Sequence, residues 1–118
     1  MSSASDPPVS PEVTAAEADR LAAGSHRILD VREPAEFAAG HVAGAVHIPL
    51  ADLPLRHPEL EGSVAWLAIC RSGFRSMQAT VYLRAQGLDV VNVAGGMHAW
   101  QAAGLPMQDL DGGPGRVV

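Results

Sequence analysis

The run Val64-Ala65-Trp66-Leu67-Ala68-Ile69 has no polar side chain on either side of the alternation a strand imposes. A strand with one wet face alternates polar and apolar residues. An unbroken apolar run of this length therefore reads as a strand covered on both faces. That requirement restricts the chain to a layered architecture with the sheet held between helices.

The flanking sequence supplies those layers. Thr14 and Glu17 have capping-box spacing, which predicts a helix starting near Ala15 and stopping at Gly24. Ile28 to Val31 is a short buried strand. Pro34 opens a short helix ending at Gly40, because proline loses nothing at a position whose N–H is unpaired anyway. Val46 and Ile48 suggest another short strand, stopped by Pro49. After Gly73 the pattern from Arg75 to Gln86 is helical, with Met77, Val81 and Ala85 on one face. Gly87 followed by Leu88 reads as its C-cap with a hydrophobic contact. Val90 to Val93 is a further strand. Gly95 and Gly96 turn the chain into a last short helix through Trp100, closed by Gly104 and Pro106. Strand–helix alternation of this kind predicts an α/β fold with a mostly parallel sheet and helices on both faces.

At 118 residues the chain suits one domain. Residues 1–11, rich in Ser and Pro, read as a mobile lead-in. The domain is expected over 12–108, and 109–118, with Gly112, Gly113 and Pro114, as a flexible tail. The composition is 47% hydrophobic with a formal net charge of −5. A net acidic chain without a basic run is a poor nucleic-acid binder. No apolar run reaches the roughly 20 residues of a membrane span, and Met1 to Asp6 lacks the basic and apolar stretches of a signal peptide. The single cysteine cannot close an internal disulfide, which fits a reducing compartment, the cytoplasm.

That cysteine, Cys70, follows directly on the most buried strand. In parallel α/β sheets this end of the strands is where ligands bind. The segment Cys70-Arg71-Ser72-Gly73-Phe74-Arg75 then leads into the long helix. The first N–H groups of a helix have no intrahelical partners, and the helix dipole adds about half a positive charge there. Gly73 permits a tight ring, and Arg71 and Arg75 add two permanent charges. A thiol in such a setting falls from about 8.5 to roughly 3.5–7.5 and becomes a nucleophilic thiolate. The competing reading is an inert buried Cys before a helix that happens to begin with arginines. Two arginines and a glycine within five residues favour the activated one.

Three segments together resemble the rhodanese homology domain over roughly residues 29 to 106. The first runs Leu29-Asp30-Val31-Arg32-Glu33-Pro34-Ala35-Glu36-Phe37 and continues from Gly40-His41-Val42 to Ile48-Pro49. The second is Cys70-Arg71-Ser72-Gly73-Phe74-Arg75-Ser76. The third is Val91-Asn92-Val93-Ala94-Gly95-Gly96-Met97-His98-Ala99-Trp100. The resemblance implies a single domain with a five-stranded parallel sheet. It implies a sulfurtransferase in which Cys70 takes a sulfane sulfur as a persulfide and passes it on, with residues 71–76 binding the substrate. Donors would be small sulfur anions such as thiosulfate; acceptors would be thiols, cyanide or a protein. No metal or organic cofactor is implied.

Asp30 and Arg32, near a strand's carboxyl end, are candidates for lining the cleft. The alternative, which short polar turns favour, is that the Asp30 or Glu36 carboxylate pairs with Arg32 or caps a turn. Five scattered histidines show no helical metal spacing, and His41 is expected to fix a turn. Trp66 and Trp100 are expected in the core, while Phe74, inside the loop, could rim the pocket. Two other functions compete: a persulfide carrier or sensing module docking a protein partner, and a phosphatase or arsenate reductase on the same fold. Loop length argues against the latter. Phosphatases of related fold have arginine six positions after cysteine; here Arg75 is five positions on and the sixth is Ser76.

Overall fold

A computed structural model describes residues 11–118 of the chain. The elements run β1 (Glu12–Val13), α1 (Ala15–Ala22), β2 (His26–Asp30), α2 (Pro34–Ala39), β3 (Val46–His47), α3 (Leu53–Arg56), β4 (Ala65–Ile69), α4 (Phe74–Ala85), β5 (Asp89–Val93) and α5 (Gly96–Ala102). Single 3-10 turns, Leu50–Asp52 and His57–Glu59, flank α3. The five strands form one sheet in the order β1-β5-β4-β2-β3, with every pair parallel.

The apolar run predicted to be covered on both faces is β4, with β5 on one side and β2 on the other. Its alternate residues enter two separate cores. Trp66, Ala68 and Cys70 join Leu29, Leu53, Ala79 and Leu83 beneath α3 and α4. Leu67 and Ile69 join Ile28, Ala18, Met97 and Trp100 beneath α1 and α5. Burying apolar surface at about 25 cal/mol per Å² on both sides makes this strand the axis of the fold. Trp66 and Trp100 are core residues as expected. Each satisfies its indole N–H on a nearby carbonyl, that of Glu61 for Trp66 and that of Pro106 for Trp100.

Local signals place most boundaries. Thr14 and Glu17 form the capping box at the start of α1. Gly87, at φ +92°, ends α4, with its N–H on the carbonyl of Arg84 and that of Leu88 on the carbonyl of Leu83. This is the Schellman pattern, completed by Leu88 packing on the core. Strand β2 starts earlier than its apolar run. His26 and Arg27 pair with Ala65 and Trp66, and the Arg27 guanidinium lies 5.2 Å from the Trp66 ring centre.

Two features differ from the sequence reading, and the C-terminal segment adds contacts of its own. The short edge strand β1 has no apolar run to betray it; it is held by its register with Asn92 and Val93. Helix α4 does not bury Met77, Val81 and Ala85. Its buried residues are Ser76, Ala79, Thr80 and Leu83, and Val81 is exposed. Small side chains let this helix approach the sheet closely, and Thr80 turns its hydroxyl inward onto the carbonyl of Ser76 at 2.8 Å. The segment 109–118, expected as a flexible tail, has specific partners. Asp109 accepts from the N–H groups of Asp111 and Gly113. Arg116 N–H donates to the carbonyl of Ala39, and Val117 packs on the α1/α5 core. The expected lead-in lies outside the described residues except for Pro11, whose carbonyl accepts from Asn92 N–H at 2.7 Å.

Candidate active site

The candidate site forms where β4 passes into α4. Cys70 is 1% exposed. Its Sγ accepts from the backbone N–H of Gly73 at 3.1 Å and from the hydroxyl of Ser76 at 3.2 Å. Gly73 takes φ +111°, a conformation that side-chain-bearing residues rarely adopt, and so closes the loop back over the sulfur. Burial pushes the Cys70 thiol up. The Ser76 hydroxyl and the N–H groups of Ser76, Gly73 and Ser72 outweigh it and hold the thiol below its ordinary value. The main activating groups are thus the loop's own dipoles rather than the guanidinium groups that the sequence made prominent.

The far side of the loop is held by the third of the segments that carry the resemblance. At the start of α5, Met97 N–H donates to the Cys70 carbonyl at 2.8 Å and His98 N–H to the Arg71 carbonyl at 3.0 Å. Gly96, at φ +56°, makes that approach feasible. A Cβ on Gly96 would stand 2.3 Å from the Cys70 carbonyl oxygen. From β5, the Asn92 side-chain N–H₂ reaches Glu12 at 2.9 Å and the Gly73 carbonyl at 3.4 Å.

Arg75 is not free. Its guanidinium grips both oxygens of Glu36 at 2.6 and 2.8 Å. This bidentate hydrogen bond is the leading reason the Glu36 carboxyl falls to about 2; partial burial opposes it, and the Glu33 N–H assists. Arg75 is raised in turn, first by Glu36 and to a smaller degree by Cys70. Arg71 and Phe74 are exposed, and among the described residues Arg71 has no ion-pair partner. Phe74 shares a cavity of about 270 Å³ with Glu12, Ser72, Gly73, Met77 and Gly95.

Asp30 and Arg32 do not line a cleft. Both are fully buried and clasp each other, Arg32 Nε and Nη2 meeting the Asp30 carboxylate at 2.8–3.2 Å. Arg32 also donates to the Gly40 carbonyl at 2.7 Å, tying β2 to the end of α2. The pairing predicted for short polar turns is therefore the one found for Asp30, whereas Glu36 goes to Arg75 across 39 residues of sequence. Phe37 lies stacked between His41 and His47, at ring distances of 3.9 and 4.3 Å. His41 fixes its turn through the Phe37 carbonyl, as expected, and His47 bonds the Arg32 carbonyl. The sequence reading missed the α5 contacts and the Glu36–Arg75 pair; a half-buried pair of charges 39 residues apart leaves no periodic signal.

A lone buried cysteine whose sulfur accepts hydrogen bonds from its own loop, at the carboxyl end of a parallel sheet, defines an α/β domain with a candidate reactive thiol. The Rhodanese-like domain family matches residues 14–103, and the chain belongs to that family. A protein named Sulfurtransferase from Allochromatium vinosum is 40% identical over 86 residues, covering 72% of this chain and 80% of that protein. Thiosulfate sulfurtransferase 16, chloroplastic, of Arabidopsis thaliana is 38% identical over 112 residues, covering 84% of this chain and 92% of its own. The crystal structure of a rhodanese-related protein from Thermoplasma volcanium superposes with a TM-score of 0.78 at 33% identity, over 81% of this chain and 95% of that one. Among the described residues no helix is long and apolar enough to cross a membrane.

Proposed function

We propose that this chain is a sulfurtransferase that moves sulfane sulfur from a small anionic donor such as thiosulfate to a thiophilic acceptor through a persulfide on Cys70. The observation that carries the reading is the hydrogen-bonded cradle around the chain's single cysteine. Relatives named as sulfurtransferases, one of them a thiosulfate sulfurtransferase, support it.

In the first half-reaction the Cys70 thiolate attacks the outer sulfur of thiosulfate. The new S–S bond to Cys70 forms as the donor's S–S bond breaks, and sulfite leaves with that bond's electron pair. The terminal sulfur then carries the negative charge at the helix start, where N–H groups and the dipole stabilise an anion. In the second half-reaction cyanide, a thiol or a protein thiol attacks that terminal sulfur and the Cys70 thiolate departs. No metal or organic cofactor takes part. Ser72, Gly73 and Ser76 hold the charge, the backbone at Phe74 and Arg75 completes the ring, and Arg71 draws the anion to the mouth. This ring, with arginine at the fifth position, suits one bound sulfur rather than a tetrahedral phosphate.

Incubation with thiosulfate and cyanide, reading thiocyanate, tests the proposal beside Cys70→Ser. Turnover that disappears in a folded Cys70→Ser chain supports it. Turnover that persists in that variant, or none in the unaltered chain, removes it.

A further inference from the structure

Charges gather at the candidate sulfur site: Cys70 as thiolate acts on the Arg75 guanidinium, which the Glu36 carboxylate grips and Glu33 also faces, while Arg71 follows Cys70 in the exposed loop. Arg71 and Arg75 are positive while Cys70, Glu33 and Glu36 are negative, so the thiolate form offers no net positive charge to an incoming anion. The Asp30–Arg32 pair beside it is internally neutral as well. A donor that brings two negative charges near its reacting sulfur meets more repulsion here than one that brings a single charge.

Glu36 is a fixed part of this arrangement. It is the N3 residue of α2, and its Oε1 accepts the Glu33 N–H at 3.0 Å in a reciprocal cap. The next residue, Phe37, is clamped between two imidazole rings. The end of α2 is held by Arg32 on the Gly40 carbonyl and by Arg116 N–H on the Ala39 carbonyl. The carboxylate therefore cannot swing away when a donor arrives, and both N–H arms of the Arg75 fork stay engaged.

We propose that Glu36 is a positioning residue that sets donor specificity: by claiming Arg75 it tunes the site toward sulfane donors carrying one negative charge, such as a low-molecular-weight persulfide, and restrains use of the thiosulfate dianion. The proposal rests on the sulfurtransferase reading and names the donor class that site favours. With a persulfide donor the Cys70 thiolate attacks the terminal sulfur. The S–S bond to Cys70 forms, the donor's own S–S bond breaks, and the donor thiolate leaves with the electron pair, so charge and electrons balance as with thiosulfate.

The test compares kcat/KM for thiosulfate and for 2-hydroxyethyl persulfide, a monoanion, in the unaltered chain and in Glu36→Gln. Cyanide is the acceptor, and the Cys70→Ser rate is subtracted as the blank. Glutamine keeps the oxygen that accepts from Glu33, so α2 retains its cap. The ratio of the two donors within one protein stock is independent of the fraction folded. The expected result is a thiosulfate-to-persulfide ratio about five- to tenfold higher in Glu36→Gln, the effect of one unit charge removed at close range in a partly wet site. A ratio unchanged within about twofold, while both donors still turn over, overturns the proposal and leaves the sulfurtransferase reading standing. Absence of Cys70-dependent transfer from either donor in the unaltered chain overturns both.

Discussion

Gly96→Ala isolates the contact that shapes the loop from behind. At this position a Cβ would stand 2.3 Å from the Cys70 carbonyl oxygen and 2.8 Å from the carbonyl carbon and oxygen of Arg71. These are backbone atoms, so no side chain can rotate aside. Restoring a tolerable carbon–oxygen distance moves the loop and α5 apart by about 1 Å. The same movement stretches the Met97 and His98 N–H bonds to that loop. Overpacking costs about 1–3 kcal/mol, and alanine at φ +56° adds roughly 1 kcal/mol. The sum is about 2–4 kcal/mol of stability. A displacement of about 1 Å in a catalytic array lowers its rate by about 10²-fold. Gly104→Ala is the matched control: its φ is +72°, but a Cβ there meets nothing within 4 Å. It should lose only about 1 kcal/mol and leave the cysteine unaltered. Urea unfolding gives the stability of each variant. The rate of Cys70 alkylation and the turnover of thiosulfate, both read well below the unfolding transition, give the state of the loop. Gly96→Ala with unaltered stability, alkylation rate and turnover would refute the claim that α5 shapes the active loop.

Other perturbations have equally definite outcomes. Arg32→Met leaves the buried Asp30 carboxylate without its partner and should lower stability by about 3–5 kcal/mol in urea unfolding; a loss under about 1 kcal/mol would show the pair to be dispensable. Ser76→Ala removes the hydroxyl on Cys70 Sγ, the leading group that lowers this thiol. The alkylation midpoint should rise, because the thiolate loses a hydrogen-bond donor, and an unmoved midpoint would count against the cradle. Glu36, held at about 2 in the fold against 4.5 unpaired, contributes stability that is complete above about pH 4.5 and is lost as pH falls toward 2. Discounted for partial exposure, this is about 1–2 kcal/mol, so Glu36→Gln should flatten the acid limb of a stability-against-pH curve by that amount.

The parts of the fold that were legible in the sequence are those encoded locally. The run Val64 to Ile69 gave the central strand because both of its faces are covered by hydrophobic cores. Thr14, Pro34 and Gly87 marked helix ends because caps depend on residues a few positions apart. The reactive position was legible for the same reason: cysteine, glycine and serine lie within seven consecutive residues, and the strand-to-helix turn brings them together. What escaped depends on distant contacts. Glu12 and Val13 become a strand only through β5. The buried face of α4 is set by Ala79 and Thr80 lying close to the sheet, not by its larger apolar residues. Both arginines were legible as charges flanking Cys70, but not the partner of either; the fold gives Arg75, and not Arg71, the Glu36 carboxylate.

The central claim, that Cys70 carries the sulfur, is tested most directly by intact mass measurement after incubation with thiosulfate and removal of excess donor. The account predicts a gain of one sulfur atom per chain, located on the peptide that contains Cys70, reversed by cyanide with release of thiocyanate and absent from Cys70→Ser. A folded chain that gains no sulfur, or gains it equally in Cys70→Ser, would contradict it.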